Sequence, residues 1–230
     1  FDGAINSYKQ ALKIKPDYAD SYNNMGNALK NKGDLEAAID SFTKALKIKP
    51  DFAEAFSNIG LALKDKGDLE AAIDSYKQAL KIKPDYAEAY LNMGNALKDK
   101  GVLEAAIESY QQALKINPNY ADSYNNMGVA LKDKGDLEAA IDSYKQALKI
   151  KPDYAEAYNN MGNALKDRGD LGAAIDSYKQ ALKIKSDYTE AFNNMGATLK
   201  GAVFTKPKPG LMKIILSLLD QKTTSRPKSI

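Results

Sequence analysis

The chain has 230 residues, 44% of them hydrophobic and 27% charged, and contains no cysteine, histidine or tryptophan. Those absences exclude a disulfide framework, a thiolate metal site, a thiol nucleophile and the commonest general base. The net charge of +3 is too small to argue for nucleic acid, and no apolar run reaches the ~18 residues that a bilayer span needs.

Charge is unevenly spread. Residues 201–230 carry six basic residues and one acid, while the rest carries 27 basic and 29 acidic residues. A mildly acidic body therefore precedes a basic tail. No signal peptide is visible, and the compartment is left open, with the cytoplasm as the default reading. The chain opens at Phe1 inside a repeat and without an initiator Met, which reads as a piece of something longer.

Pro16, Pro50, Pro84, Pro118 and Pro152 recur every 34 residues, and Ser186 takes the next place. Such a period governs every local reading. In chain order, residues 1–18 form a half repeat holding a second helix only. Residues 19–188 form five complete units. Residues 189–200 hold the first helix of a sixth, and 201–230 hold a basic linker, an amphipathic helix at 211–220 and a tail.

The unit 155–188 illustrates the elements. Tyr158, Met161, Ala164 and Leu165 have helical spacing over about Ala155–Asp167. Gly169 ends this helix as a left-handed cap, and Asp170 caps the next. Leu171, Ala174, Ile175, Tyr178, Ala181 and Leu182 then make one apolar stripe. In earlier units a Lys-Pro-Asp run stops the second helix. The following Asp is expected to cap the next first helix, with Asp51 and Glu54 arranged like a capping box.

Tyr22, Met25-Gly26, Leu29, Ala38, Phe42, Ala45 and Pro50 stand at the offsets of a known repeat signature. Across residues 1–200 the chain resembles the tetratricopeptide repeat (TPR) family, with Met or Ile for the family's Leu and Leu for its first-helix Tyr. The resemblance implies an all-α fold, a right-handed superhelical solenoid of helix-turn-helix hairpins whose first helices line the concave face. The units look most like the arrays preceding the catalytic domain of O-linked N-acetylglucosamine transferases, and like bacterial arrays. Nothing catalytic from such an enzyme is visible.

At ~100° per residue, Glu156, Asn160, Asn163 and Asp167 share one stripe opposite Tyr158, Met161, Gly162 and Leu165. Stacked units turn that stripe into rows. Asp20, Glu54, Glu88, Asp122, Glu156 and Glu190 make an acid row, and Asn24, Asn58, Asn92, Asn126, Asn160 and Asn194 make an amide row. A variable row follows with Asn27, Leu61, Asn95, Val129, Asn163 and Ala197, then a last row with Asn31, Asp65, Asp99, Asp133 and Asp167.

Each amide offers two donors and an acceptor, the pair of functions a peptide backbone needs. First helices ~10 Å apart would offer one Asn to about every third residue of an extended peptide. The candidate peptide-binding residues are the six amide-row asparagines with Asn27, Asn95, Asn163, Glu54, Glu88, Glu156, Asp99 and Asp133. The acids favour a basic ligand. The structural alternative is that these asparagines bond to one another across helices and stiffen the array. The Met series Met25, Met93, Met127, Met161 and Met195 lies on the packed side and reads as core. No cofactor or metal is expected.

Carboxylate-clamp members of the family need a Lys one place before the amide row. Asn23, Ser57, Leu91, Asn125, Asn159 and Asn193 stand there, which argues against such a clamp. In the tail, Leu211, Ile214, Ile215, Leu218 and Leu219 share a helical stripe. That segment would cap the last apolar face or enter the acidic groove of another copy; it is short for a membrane-surface helix. The open ends also invite self-association. The expected function is a non-enzymatic protein-interaction scaffold holding an extended peptide. The alternatives are a substrate-recruiting array of a larger enzyme, such as a glycosyltransferase, and a self-assembling repeat protein.

Overall fold

The structure, a computed structural model, describes the backbone of residues 1–204 and the side chains of residues 1–201. The expected helix at 211–220 and the tail lie outside the described residues. Those described form twelve helices and no strand: α1 (Asp2–Ile14), α2 (Ala19–Lys32), α3 (Leu35–Ile48), α4 (Ala53–Asp65), α5 (Leu69–Ile82), α6 (Ala87–Asp99), α7 (Leu103–Ile116), α8 (Ala121–Lys134), α9 (Leu137–Ile150), α10 (Ala155–Arg168), α11 (Leu171–Ile184) and α12 (Thr189–Phe204). They fall into two compact units, the first ending at Ala130 and the second starting at Leu131.

In the first unit α2 packs on α3, α4 on α5 and α6 on α7, each pair a hairpin, and successive hairpins pack through α3–α4 and α5–α6. In the second unit α10 and α11 form the hairpin, with α9 and α12 on either side. One contact fixes each hairpin. A Cβ added at Gly60 would lie 2.6 Å from the Tyr76 ring, and one at Gly94 would lie 2.6 Å from the Tyr110 ring. Gly26 meets Phe42 and Gly162 meets Tyr178 in the same way, at 2.5 Å. The missing side chain lets an aromatic ring rest on helix backbone, and all four rings are fully buried.

Helix ends follow the repeat. Gly33 and Gly169 adopt φ of 91° and 95° as left-handed caps. The Gly33 N–H bonds to Lys30 O and the Asp34 N–H to Leu29 O, closing the first helix. Asp34, Asp68 and Asp136 then accept from the N–H groups of Ala37, Ala71 and Ala139 at 3.3, 3.1 and 3.1 Å.

Three expectations are corrected. Asp170 holds the cap position of α11 but makes no side-chain cap bond. Its carboxylate is drawn instead to the guanidinium of Arg168, which stands where other units have Lys. Asp51 does not cap α4; the cap residue is Phe52, without a side-chain bond. Pro50 and Asp51 are the middle residues of a β-turn closed by the Phe52 N–H on Lys49 O at 3.2 Å. The Lys49 ammonium sits 4.6 Å from the centre of the Phe52 ring, a contact that Lys15–Tyr18, Lys83–Tyr86, Lys151–Tyr154 and Lys185–Tyr188 repeat. The helix expected over 189–200 also runs longer, with α12 continuing to Phe204. The register of the cap glycine falls at Val203, and Gly201 stands two places too early to end the helix.

Candidate functional site

In the first unit the amide row is not uniform. Asn58 Nδ2 donates to Asn23 Oδ1 at 2.9 Å, joining α4 to α2. Asn126 Nδ2 donates to Asn95 Oδ1 at 2.9 Å, joining α8 to α6, and Asn126 Oδ1 accepts from Asn125 at 3.1 Å. Asn24 is exposed, and Asn27 and Asn92 are half-buried. None of these three has a hydrogen-bond partner among the described residues. In the second unit Asn194 Nδ2 donates to Asn159 Oδ1 at 3.0 Å, and Asn159 donates to Glu190 Oε1 at 2.9 Å. Asn160 is half-buried.

The residue preceding the amide row, absent from the candidate set, therefore belongs to the network. Asn159 is fully buried and Asn23 nearly so. A wheel drawn for one helix leaves that position at the edge of the open face, but the next first helix covers it. The signal lay in offsets between units. An amide-row Asn meets the side chain 35 residues earlier, as Asn58 meets Asn23 and Asn194 meets Asn159, or 31 residues earlier, as Asn126 meets Asn95.

The variable row faces the second helix of its own hairpin. Asn95 accepts from the Tyr110 hydroxyl, and Asn163 from the Tyr178 hydroxyl, both at 2.9 Å. Where that row holds Leu61, the buried Tyr76 hydroxyl has no partner; the Tyr144 hydroxyl and Ser123 Oγ also lack one. Burial pushes the phenols of Tyr76, Tyr110 and Tyr144 far up, with Asp65 and Glu88 adding to the effect at Tyr76. Tyr178 is pushed up to about 12, again by burial first.

The acids divide as well. Glu54 is paired with Lys83 at 3.3 Å, Asp99 with Lys98 and Lys64 at 2.9 and 3.2 Å, and Asp133 with Lys132 at 3.3 Å. Partial burial raises the Asp99 carboxyl, but the bonds from the two lysines outweigh it and hold the group below the usual range. Glu88 and Glu156 are exposed. No group of three or more carboxylates able to hold a metal occurs among the described residues. No described helix is long and apolar enough to cross a membrane.

Helical hairpins at a 34-residue period, four of them locked by an aromatic ring on a glycine and three pairs of first helices joined by side-chain amides, define an all-α helical-repeat scaffold. The chain belongs to the tetratricopeptide repeat family, whose TPR repeat model matches residues 1–33, 26–67, 60–101, 94–135, 130–167 and 162–201. No curated protein matches it. Among solved structures it is similar to MamA, with 31% identity and a TM-score of 0.66 over 72% of this chain and 97% of that one. It is similar in fold to YrrB, described as a TPR protein with an unusual peptide-binding site, at 22% identity and TM-score 0.65 over 81% and 96% of the two chains. A thermophilic TPR protein of Thermus thermophilus aligns at 24% identity and TM-score 0.63 over 79% and 99%. This fold is typically a non-catalytic scaffold for protein–protein interaction.

Proposed function

We propose that the chain is a non-enzymatic scaffold that holds an extended, basic peptide segment against the face formed by its first helices. The observation that carries this reading is the alignment of polar side chains on α2, α4, α6 and α8. Amides at Asn24, Asn58, Asn92 and Asn126 run beside acids at Asp20, Glu54, Glu88 and Asp122. Amides match the donor and acceptor of a backbone without reading side chains, and the acids select for positive charge. YrrB gives a precedent in the fold for a peptide-binding site.

The test is a screen of the purified chain against immobilised peptides of about nine residues, some three rungs at one Asn per three residues, followed by titration of the winners at two salt concentrations. Expected binders share lysine or arginine but no fixed motif otherwise, and weaken as salt rises. Binding only to acidic or wholly apolar peptides, or none above background, would rule the reading out.

A further inference from the structure

We propose that Asn92 is the backbone-gripping rung of this face, and that beside it the face takes a segment carrying an apolar and a basic side chain. The proposal rests on the peptide-scaffold reading and specifies where on the face the peptide is held.

The offsets between units explain why Asn92 is different. An amide-row side chain is satisfied internally by a side-chain carbonyl 35 or 31 residues earlier. Asn58 finds Asn23, Asn126 finds Asn95 and Asn194 finds Asn159. For Asn92 those two places hold Ser57 and Leu61, and neither side chain supplies a carbonyl. Its amide is half-buried and has no partner among the described residues. Its polar atoms are not among the buried unpartnered ones, so the amide is open at the surface, where a ligand backbone can take up its donors and acceptor.

A second observation falls at the same point. Leu61 packs against the cluster that holds Tyr76, whose ring is fully buried and whose hydroxyl is unpartnered. In the next hairpin Asn95 occupies the equivalent place and satisfies both Tyr110 and Asn126. One residue type, Leu for Asn, thus removes partners from two groups and puts a half-exposed apolar side chain 31 residues before Asn92, the place from which Asn95 reaches Asn126 in the next pair. On α6, Glu88 lies one turn before Asn92, exposed and without an ion pair among the described residues. Its neighbour in the acid row, Glu54, is already engaged by Lys83. Amide, apolar contact and free carboxylate together describe a site for an extended segment with a hydrophobic residue and a lysine or arginine nearby.

The experiment uses the chain with its tail and a labelled nonapeptide pool in which every position is lysine, leucine or serine. A matching pool with glutamate for lysine is the control. Titration by fluorescence anisotropy is run on the unaltered protein, Asn92→Ala, Leu61→Asn, Glu88→Gln and Asp136→Ala, each checked by its melting curve. The expected result is that the lysine pool binds and the glutamate pool does not. Asn92→Ala should weaken binding about five-fold, the loss of one hydrogen bond. Leu61→Asn, which hands Asn92 an internal acceptor, should weaken it similarly while melting no lower. Glu88→Gln should weaken the lysine pool and flatten its salt dependence. Asp136→Ala, which removes only the cap bond to Ala139, should melt lower with binding unchanged. If the lysine pool binds and neither Asn92→Ala nor Leu61→Asn alters its affinity, the assignment of Asn92 falls while the peptide reading stands. If the two pools do not differ on the unaltered protein, both fall together.

Discussion

The oxygen of Asn95 accepts from two directions at once, from the Tyr110 hydroxyl within its own hairpin and from Asn126 of the next, each at 2.9 Å. One side chain thereby ties second helix, first helix and following unit together. Tyr76 has no such partner. Tyr110→Phe should therefore cost about 1 kcal/mol, and Tyr76→Phe should cost nothing or stabilise slightly. Paired thermal melts decide the point; equal losses for the two would mean that the Asn95 bond contributes nothing.

The ring-on-glycine contact is steeper. Gly94→Ala would put a methyl 2.6 Å from the buried Tyr110 ring, with no open space to absorb it. The variant should lose roughly 1–3 kcal/mol although alanine is the better helix former. A denaturant midpoint at or above that of the parent would show that the hairpin opens more easily than its packing suggests.

Arg168 diverts Asp170 from the cap it would otherwise make. Asp136→Ala should cost about 1 kcal/mol, whereas Asp170→Ala should cost clearly less. Arg168→Lys should recover stability by freeing the carboxylate. The three melting temperatures form an ordered series, and a larger loss at Asp170 than at Asp136 would reverse it.

Ser123 occupies a place where four other units have Ala55, Ala89, Ala157 and Ala191 and one has Ser21, and its buried hydroxyl has no partner. Ser123→Ala should raise stability by up to ~1 kcal/mol. A lower melting temperature would show that the hydroxyl is satisfied in solution.

Buried tyrosines set an alkaline limit. The Tyr178 phenol ionises near 12 in the folded chain and near 10 when exposed. The unfolded state therefore loses its proton first as pH rises. Stability is fully present below pH ~10 and falls between about 10 and 12, with a slope of up to ~1.4 kcal/mol per pH unit for each such group. Melting temperature should drop across that window, and less steeply in Tyr178→Phe. A flat profile to pH ~11 would contradict the burial that raises this group.

The period made the hairpins legible at once, because a proline stop, a glycine cap and an apolar stripe recur in the same order along the array. Local chemistry was read less well. Asp51 looked like a cap until the Lys49–Phe52 turn took it, and Asp170 looked like its sister Asp136 until Arg168 reached it. The amide row was visible, but its division was not. A helical wheel treats each first helix alone, whereas Asn23 and Asn159 are buried by the helix that follows. Which asparagines bond to which is written in residues 31 and 35 places away, beyond the reach of any single-unit reading.

The place of Leu61 and Ser57 relative to Asn92 has a consequence for how such an array changes over time. Excising residues 53–86, one whole repeat, would bring Asn23 and Asn27 to the places 35 and 31 before Asn92. The Asn92 side chain would remain, yet its amide would acquire an internal partner, and the free rung would vanish with no substitution at all. On the proposed reading, recognition is a property of the junction between two repeats. Shuffling identical-looking modules would rewrite it, even where every module keeps its own text.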